Sequence, residues 1–286
     1  MLRDTQNVAG AIAALEHAIR VAPALVAPRE ELADLYRAQG RAVEEIGALQ
    51  ALATIDHHPV RAVAIGLAEA RHGEYDDAIA TLTGAVAQAP NDASVQLALG
   101  RVYLARAERR LDRAAIRSAT VAIGQALGTA GRSSEGLALF GRALYLNGDD
   151  EGAERKLREA IAIQPVDLEA FGYLADACER RGQTSDARDA LARLDALQGD
   201  TAGPAVRAAR LRRLGQLCLQ MGDTHGAVSY LRDATDAGQR DAATYAYLAD
   251  AAWRAGQVDL ARASLAKGLA VDPKQADLVR LARVIR

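Results

Sequence analysis

Residues 66–90 read GLAEARHGEYDDAIATLTGAVAQAP, and residues 141–165 read GRALYLNGDDEGAERKLREAIAIQP. The two stretches share one register: Gly66, Gly73, Ala78, Leu82, Ala85, Pro90 in the first and Gly141, Gly148, Ala153, Leu157, Ala160, Pro165 in the second. Self-similarity at a period of about 34 residues marks a stacked helical repeat, so this spacing decides the architecture. Working outward, Gly215 and the small residues Ala33, Ala175 and Ala249 take the same place as Gly66 and Gly141. A small side chain there lets the two helices of a hairpin cross closely. The large apolar residue just before each, such as Ile65, Phe140 or Leu214, fills the space beside the crossing.

Each remaining position has its own physical reason. Gly40, Gly73, Gly148, Gly182, Gly222 and Gly256 fall where a helix ends and the chain turns through a positive φ. Asp76, Asp149, Asp150, Asp223 and Asp259 follow, acceptors suited to the free amides of a helix N-terminus. The second helix carries a trio on one face: Ala11, Leu15, Ala18; Ala78, Leu82, Ala85; Ala153, Leu157, Ala160; Ala227, Leu231, Ala234; and Ala261, Leu265, Gly268. Pro23, Pro90, Pro165 and Pro273 then stop the helix.

This register resembles the tetratricopeptide repeat family over nearly the whole chain. The resemblance implies an all-α fold, a right-handed superhelical solenoid of antiparallel helix pairs, with about seven repeats, an N-terminal half-repeat and a C-terminal capping helix. As one array the chain divides into a partial repeat at 1–25, repeats at 26–58, 59–92, 93–133, 134–167, 168–207, 208–241 and 242–275, and a cap at 276–286. The unit at 93–133 is irregular, with Ala107 in place of the turn Gly and a second helix starting near Asp112. The unit at 168–207 is long, and Gln198 to Pro204 reads as a loop. Glu45 stands where Ala is usual, which weakens the register of 26–58. In the cap, Leu278, Leu281 and Val284 recur at helical spacing between Asp277, Arg280, Arg283 and Arg286. Met1 to Arg3 leads almost directly into a second-type helix, which favours a fragment of a longer protein over a complete chain.

Composition narrows the function. Half of the 286 residues are hydrophobic and few are aromatic, which suits packed Ala and Leu helices. With 35 basic and 37 acidic residues, the net charge of −2 offers no broad field for a phosphate backbone, so nucleic acid is not expected as a partner. The longest informative uncharged run, Ser118 to Gly131, is 14 residues and too short to span a bilayer. The chain therefore reads as soluble without direct membrane insertion, cytoplasmic by preference, with a periplasmic or anchored setting open if it is a fragment. Cys178 and Cys218, each three residues after a crossing position, read as free buried thiols.

Catalytic and metal chemistry find no constellation, so neither an enzyme nor a cofactor is expected. His17, His57, His58, His72 and His225 show no helical zinc spacing with a Glu. Asn147, Asp149, Glu151 and Gly152 imitate a calcium loop, but Arg158 stands where the bidentate Glu belongs. Gly124, Gly128 and Gly131 lack the Lys of a phosphate loop, and Ser133 and Ser134 read as a helix cap.

In the family, exposed positions of the first helices line the concave face and carry ligand contacts. By register this implies a partner-binding groove of Val63, Leu67, Leu97, Arg101, Leu104, Arg142 and Tyr145, continued by Asp176, Arg212, Asp250 and Trp253. Val63, Leu67, Leu97, Leu104 and Tyr145 would form an apolar stripe, and Arg101 and Arg142 would orient an acidic or carbonyl group. Glu30 and Asp34, or Val63 and Leu67, stand where some relatives clamp a C-terminal carboxylate, which disfavours a chaperone-tail receptor. The expected function is a scaffold that binds a peptide or partner protein and assembles a larger complex. The alternatives are a docking arm of an enzyme such as a glycosyltransferase and a self-associating oligomer.

Overall fold

The computed structural model describes residues 2–110 and 112–285; Met1 and Arg286 lie outside the described residues. Among these residues every regular element is a helix. The chain forms two compact units, residues 1–148 and 149–286. The first holds α1 (Leu2–Val21), α2 (Ala27–Ala38), α3 (Ala42–Ala53), α4 (Pro59–Arg71), α5 (Tyr75–Gln88), α6 (Ala93–Arg110), α7 (Arg113–Ala130) and α8 (Ser134–Leu146). The second holds α9 (Asp150–Ile161), α10 (Glu169–Arg180), α11 (Thr184–Gln198), α12 (Pro204–Gln220), α13 (Thr224–Asp236), α14 (Ala242–Arg254), α15 (Val258–Val271) and α16 (Ala276–Leu281).

Within each unit the hairpins are α2 with α3, α4 with α5 and α6 with α7, then α10 with α11, α12 with α13 and α14 with α15. Their crossings follow the register. A Cβ added at Gly66 would lie 2.6 Å from Leu82 Cγ, and one at Gly215 would lie 2.5 Å from Leu231 Cγ. Nothing larger than Gly fits under those leucines, which are themselves fully buried. At Gly100 the opposing side chain is Ile123 of α7. Gly73 and Gly222 turn with φ of 89° and 79°, and the other four turn glycines named from the sequence also have positive φ. α1, α5, α9 and α15 end before Pro23, Pro90, Pro165 and Pro273.

The caps divide the acids. Asp149 and Asp223 accept from the amides of Gly152 and Gly226, each at 2.9 Å. A Cβ on either glycine would collide with the capping carboxylate, so Asp and Gly three apart act as one device. Asp76, Asp150 and Asp259 lie inside the first turn instead, where they face the helix dipole without capping it. Asp112 caps α7 and Ser133 caps α8. The 3₁₀ turn Gly199–Ala202 separates α11 from α12.

Three details depart from the register. Glu45 is buried on α3, and its carboxylate accepts from Arg71 and, at 2.9 Å, from His72, so α3 holds the end of α4 by charge where other second helices use Ala. Gly268 replaces the last Ala of the α15 trio because Leu278 of α16 presses within 2.8 Å of where a Cβ would be. In the C-terminal cap Ile285 is buried with Leu278 and Leu281, while Val284 is exposed: offsets of three and four put the buried trio on one face, and Ile285 N donates to Leu281 O at 2.8 Å.

Two glycines inside helices behave oppositely on substitution. Gly215→Val is expected to destabilise by about 1–3 kcal/mol through overpacking against Leu231. Gly124→Ala, with open space around its Cβ, is expected to stabilise by roughly 0.5–1 kcal/mol. Urea unfolding followed by circular dichroism reads both; equal effects would discard the crossing as the point of closest approach.

Candidate functional site

The inner face of the first unit follows from which helices touch. α4 packs on α6 and α6 on α8, whereas no contact joins α3 to α5 or α5 to α7 among the described residues. The first helices α4, α6 and α8 therefore lie closer together than the second helices α3, α5 and α7, and their row forms the inner side, with α2 set further from α4. An α-helix turns by about 100° per residue, so positions one and five after the crossing residue point along this face together. Positions three before and four after point toward the neighbouring helices instead.

The structure sorts the sequence-derived residues by that rule. Leu67 and Arg101, each one residue after a crossing Gly, line a cavity of about 520 Å³ with Arg71 and Ala105, which stand five after it. Val102 and Ala70 complete its apolar floor, and Glu135 of α8 its rim. An adjoining cavity of about 380 Å³ also touches Leu67 and Arg71 and reaches Glu30, Asp34 and Arg61. Leu67 is thus common to both cavities of the groove. Ala70, Ala105 and Val102 were not singled out from the sequence, because Ala and Val at those positions carry no signal apart from the general Ala content.

Leu104 is corrected. It is 0% exposed, packed with Ala119, Ile123, Leu139 and Ala143. It stands four residues after Gly100 on the 18-residue α6, so it turns into α7 and α8 and not into the groove. Val63 and Leu97, three before their crossings, are half-buried against the core layers between helices. Tyr145 is half-buried, and the apolar stripe is reduced to the floor around Leu67.

Arg142 is corrected as well. Its side chain is 12% exposed and donates to both Glu108 carboxylate oxygens, at 2.9 and 2.5 Å, so it ties α8 to α6. Arg101 is also paired, to Glu135 at 2.8 Å, but these partners are 36% and 52% exposed. An exposed pair of this kind is worth about 0–1 kcal/mol, so an incoming carboxylate can replace Glu135 at little cost. Arg61 bridges Glu30 and Asp56 at 2.6 Å each.

In the second unit, Asp176 accepts from Arg213 at 2.5 Å, Arg212 faces Asp241 at 3.6 Å, and Asp250 holds Arg254 at 2.9 Å. Trp253, four after Ala249, is half-buried against the core of α13 to α16, which is a packing role. Three of the ion pairs in the two units, Arg101–Glu135, Arg142–Glu108 and Arg213–Glu179, join residues 34 apart. The repeat period is thus also a period of charge pairing.

Other chemistry is occupied. Among the described residues Glu154, Cys178 and Asp186 come close enough to share an ion. Glu154 already binds Arg158 and Arg181, and Asp186 binds Arg158. Burial, helped by Glu154, pushes the Cys178 thiol up to about 11, so the thiolate a metal would need is disfavoured. Cys178 and Cys218 are free and buried. His57 and His58 bond to Ala53 and Val60 of the backbone. No described helix is long and apolar enough to cross a membrane.

Two substitutions separate core from groove. Leu104→Ala is expected to cost about 2–5 kcal/mol, as a large-to-small change in a closed core. Leu67→Ser is expected to lower the thermal midpoint clearly less than Leu104→Ala does, since its half-buried side chain packs on the Leu82 layer on one side and faces a cavity on the other. Thermal unfolding of both variants decides the assignment.

Burial also predicts a pH effect beneath the groove. Glu69 of α4 is 5% exposed, and one of its carboxylate oxygens has no partner. Desolvation raises its pKa, with the Thr81 hydroxyl opposing. A raised carboxyl favours the folded state when protonated, and that contribution is lost as pH rises through the folded value. Glu69→Gln is expected to raise the melting temperature at pH 7, with a gain that shrinks below the ordinary carboxylate range; a gain independent of pH would refute this.

The comparisons agree with the geometry. The family model described as tetratricopeptide repeat matches residues 63–128 and 212–276. Among solved structures, Pseudomonas aeruginosa PilF aligns with a TM-score of 0.61 at 18% identity, over 80% of this chain and 98% of that one. A tetratricopeptide repeat protein from Parabacteroides merdae aligns with a TM-score of 0.54 at 13% identity, over 91% and 98%. A thermophilic TPR protein of Thermus thermophilus gives 0.57 at 18%, over 66% and 99%. No curated protein matches the sequence. Residues 63–128 and 212–276 thus match the tetratricopeptide repeat family, and the chain beyond them shares the fold of tetratricopeptide repeat structures.

Proposed function

We propose that this chain is a non-catalytic scaffold whose first unit captures a segment of a partner protein in the groove of α2, α4, α6 and α8. Tetratricopeptide repeats usually serve protein–protein interaction, which supports the class of function. The observation that carries the finer reading is the placement of Leu67 in both adjoining cavities, between Arg71 and the exchangeable Arg101–Glu135 pair. The segment that fits presents an apolar side chain to Leu67 and Ala105 and a carboxylate to Arg101. Small residues at Ala70 and Ala105 give it room. Binding then rests on a rigid, preformed surface, so little ordering cost falls on the scaffold.

A photo-crosslinking amino acid placed at position 67 in the source cell tests this, with position 121, exposed on α7, as control. One heterologous protein captured from 67 and not from 121, and lost with Ala105→Trp, is the expected result. Equal capture from both positions would overturn the groove, and crosslinks only to further copies of the chain would identify self-association instead.

A further inference from the structure

In the second unit α12 touches α14, whereas no contact joins α13 to α15 among the described residues. The ends of these two second helices stand apart, and a cavity of about 570 Å³ opens between them. Thr235 and Asp236 of α13 line one side and Lys267, Ala270 and Val271 of α15 the other, with Tyr245 of α14 and Arg240 of the connecting loop between them.

The polar groups of this cleft have unused capacity. Arg240 and Lys267 are exposed, and neither is ion-paired among the described residues. Arg240 Nε donates to Thr235 O at 3.2 Å, which leaves the far side of its guanidinium open. Asp236, also exposed, forms an ion pair with neither cation. Tyr245 is 8% exposed, and its hydroxyl has no hydrogen-bond partner among the described residues. A phenol whose ring is enclosed and whose hydroxyl is unbonded within the protein offers that hydroxyl to whatever fills the cavity.

The first unit contains the corresponding cleft with an anion in place. Leu52 of α3 takes the register position of Ala234 of α13, so Asp56 corresponds to Gly238. Gln88 and Val271 each stand six residues after a crossing leucine, Leu82 or Leu265, and Ala62 and Tyr245 each stand four before a crossing residue. Asp56, Ala62 and Gln88 accordingly line a cavity of about 390 Å³ between α3 and α5. There the Asp56 carboxylate accepts from His58 N at 3.1 Å and from Arg61 Nε at 2.6 Å. In the second cleft Gly238 brings no carboxylate, and Arg240 and Lys267 set two positive charges against the single charge of Asp236.

We propose that the cleft between α13 and α15 is a carboxylate-binding site: Arg240 and Lys267 hold the charge, the Tyr245 hydroxyl donates to it, and Ala270 and Val271, the latter 55% exposed, take the apolar group beside it. The two oxygens of a carboxylate match one edge of a guanidinium and keep lone pairs for an ammonium and a hydroxyl. A free organic acid and an Asp or Glu side chain of a bound segment share this chemistry, and the experiment separates them. The cleft belongs to the second unit, so the inference stands without the groove at Leu67.

The probes are 3-phenylpropionate and the blocked peptide acetyl-Leu-Asp-Leu-amide, titrated into the ¹⁵N-labelled chain and followed through the amide shifts of residues 235–245 and 267–271. Saturable shifts centred on these residues are expected, and the acid that binds more tightly identifies the source of the carboxylate. Arg240→Gln and Lys267→Gln, both exposed changes, should each weaken binding by about tenfold or more. Tyr245→Phe, which keeps the enclosed ring, should weaken it by about two- to tenfold. The uncharged analogues, 3-phenylpropanol and the peptide with Asn for Asp, should not saturate. No saturable shift at these residues, unchanged affinity in the Arg240→Gln, Lys267→Gln double variant, equal binding of the uncharged analogues, or inorganic phosphate binding as tightly as either acid would each overturn the proposal.

Discussion

The close crossing of each hairpin is the constraint on which the other contacts depend. Leu82 over Gly66 and Leu231 over Gly215 bring two helices to a distance that no Cβ permits. Each leucine then loses all contact with water, which stabilises by about 1.5–3 kcal/mol relative to exposure. Because the crossing fixes the rotation of the first helix, it also decides which of that helix's residues face the next hairpin and which stay open. The groove is a consequence of this rotation, five residues of helix away from its cause.

Charge pairing repeats the same geometry at the surface. Arg142 with Glu108 joins α8 to α6, and Arg213 with Glu179 joins α12 to α10. α10 and α12 make no direct helix contact, so in the longer unit at 168–207 the long Arg213 side chain, which also reaches Asp176, bridges a gap that backbone packing leaves. Isolated exposed pairs contribute little. Arg142, almost enclosed and bonded twice, orients α8 more firmly than the exposed Arg101–Glu135 pair does, so two arginines in equivalent positions differ through burial alone.

Two apolar floors of the first unit differ in chemistry. Around Leu67 an apolar floor lies beside arginines held by their own carboxylates. At α1 the floor is again apolar, but Glu31 and Asp34 form the rim. A repeat fold makes such contrasts cheaply, because an exposed position one residue after the crossing carries no packing duty and is free to change sign, as Asp34 and Arg101 do.

The crossing residues, the turn glycines, the trio on each second helix and the proline stops were legible in the sequence, since each is a local requirement of one hairpin and recurs with its period. Burial beyond the hairpin was not legible. Leu104 vanishes into the core because α6 is long enough for α7 and α8 to cover it, and Arg142 is taken by Glu108 of the preceding first helix. Periodicity determines the angle at which a side chain leaves its own helix. Only the neighbouring hairpins, set by tertiary packing, decide whether that direction meets another helix, an opposite charge or open space.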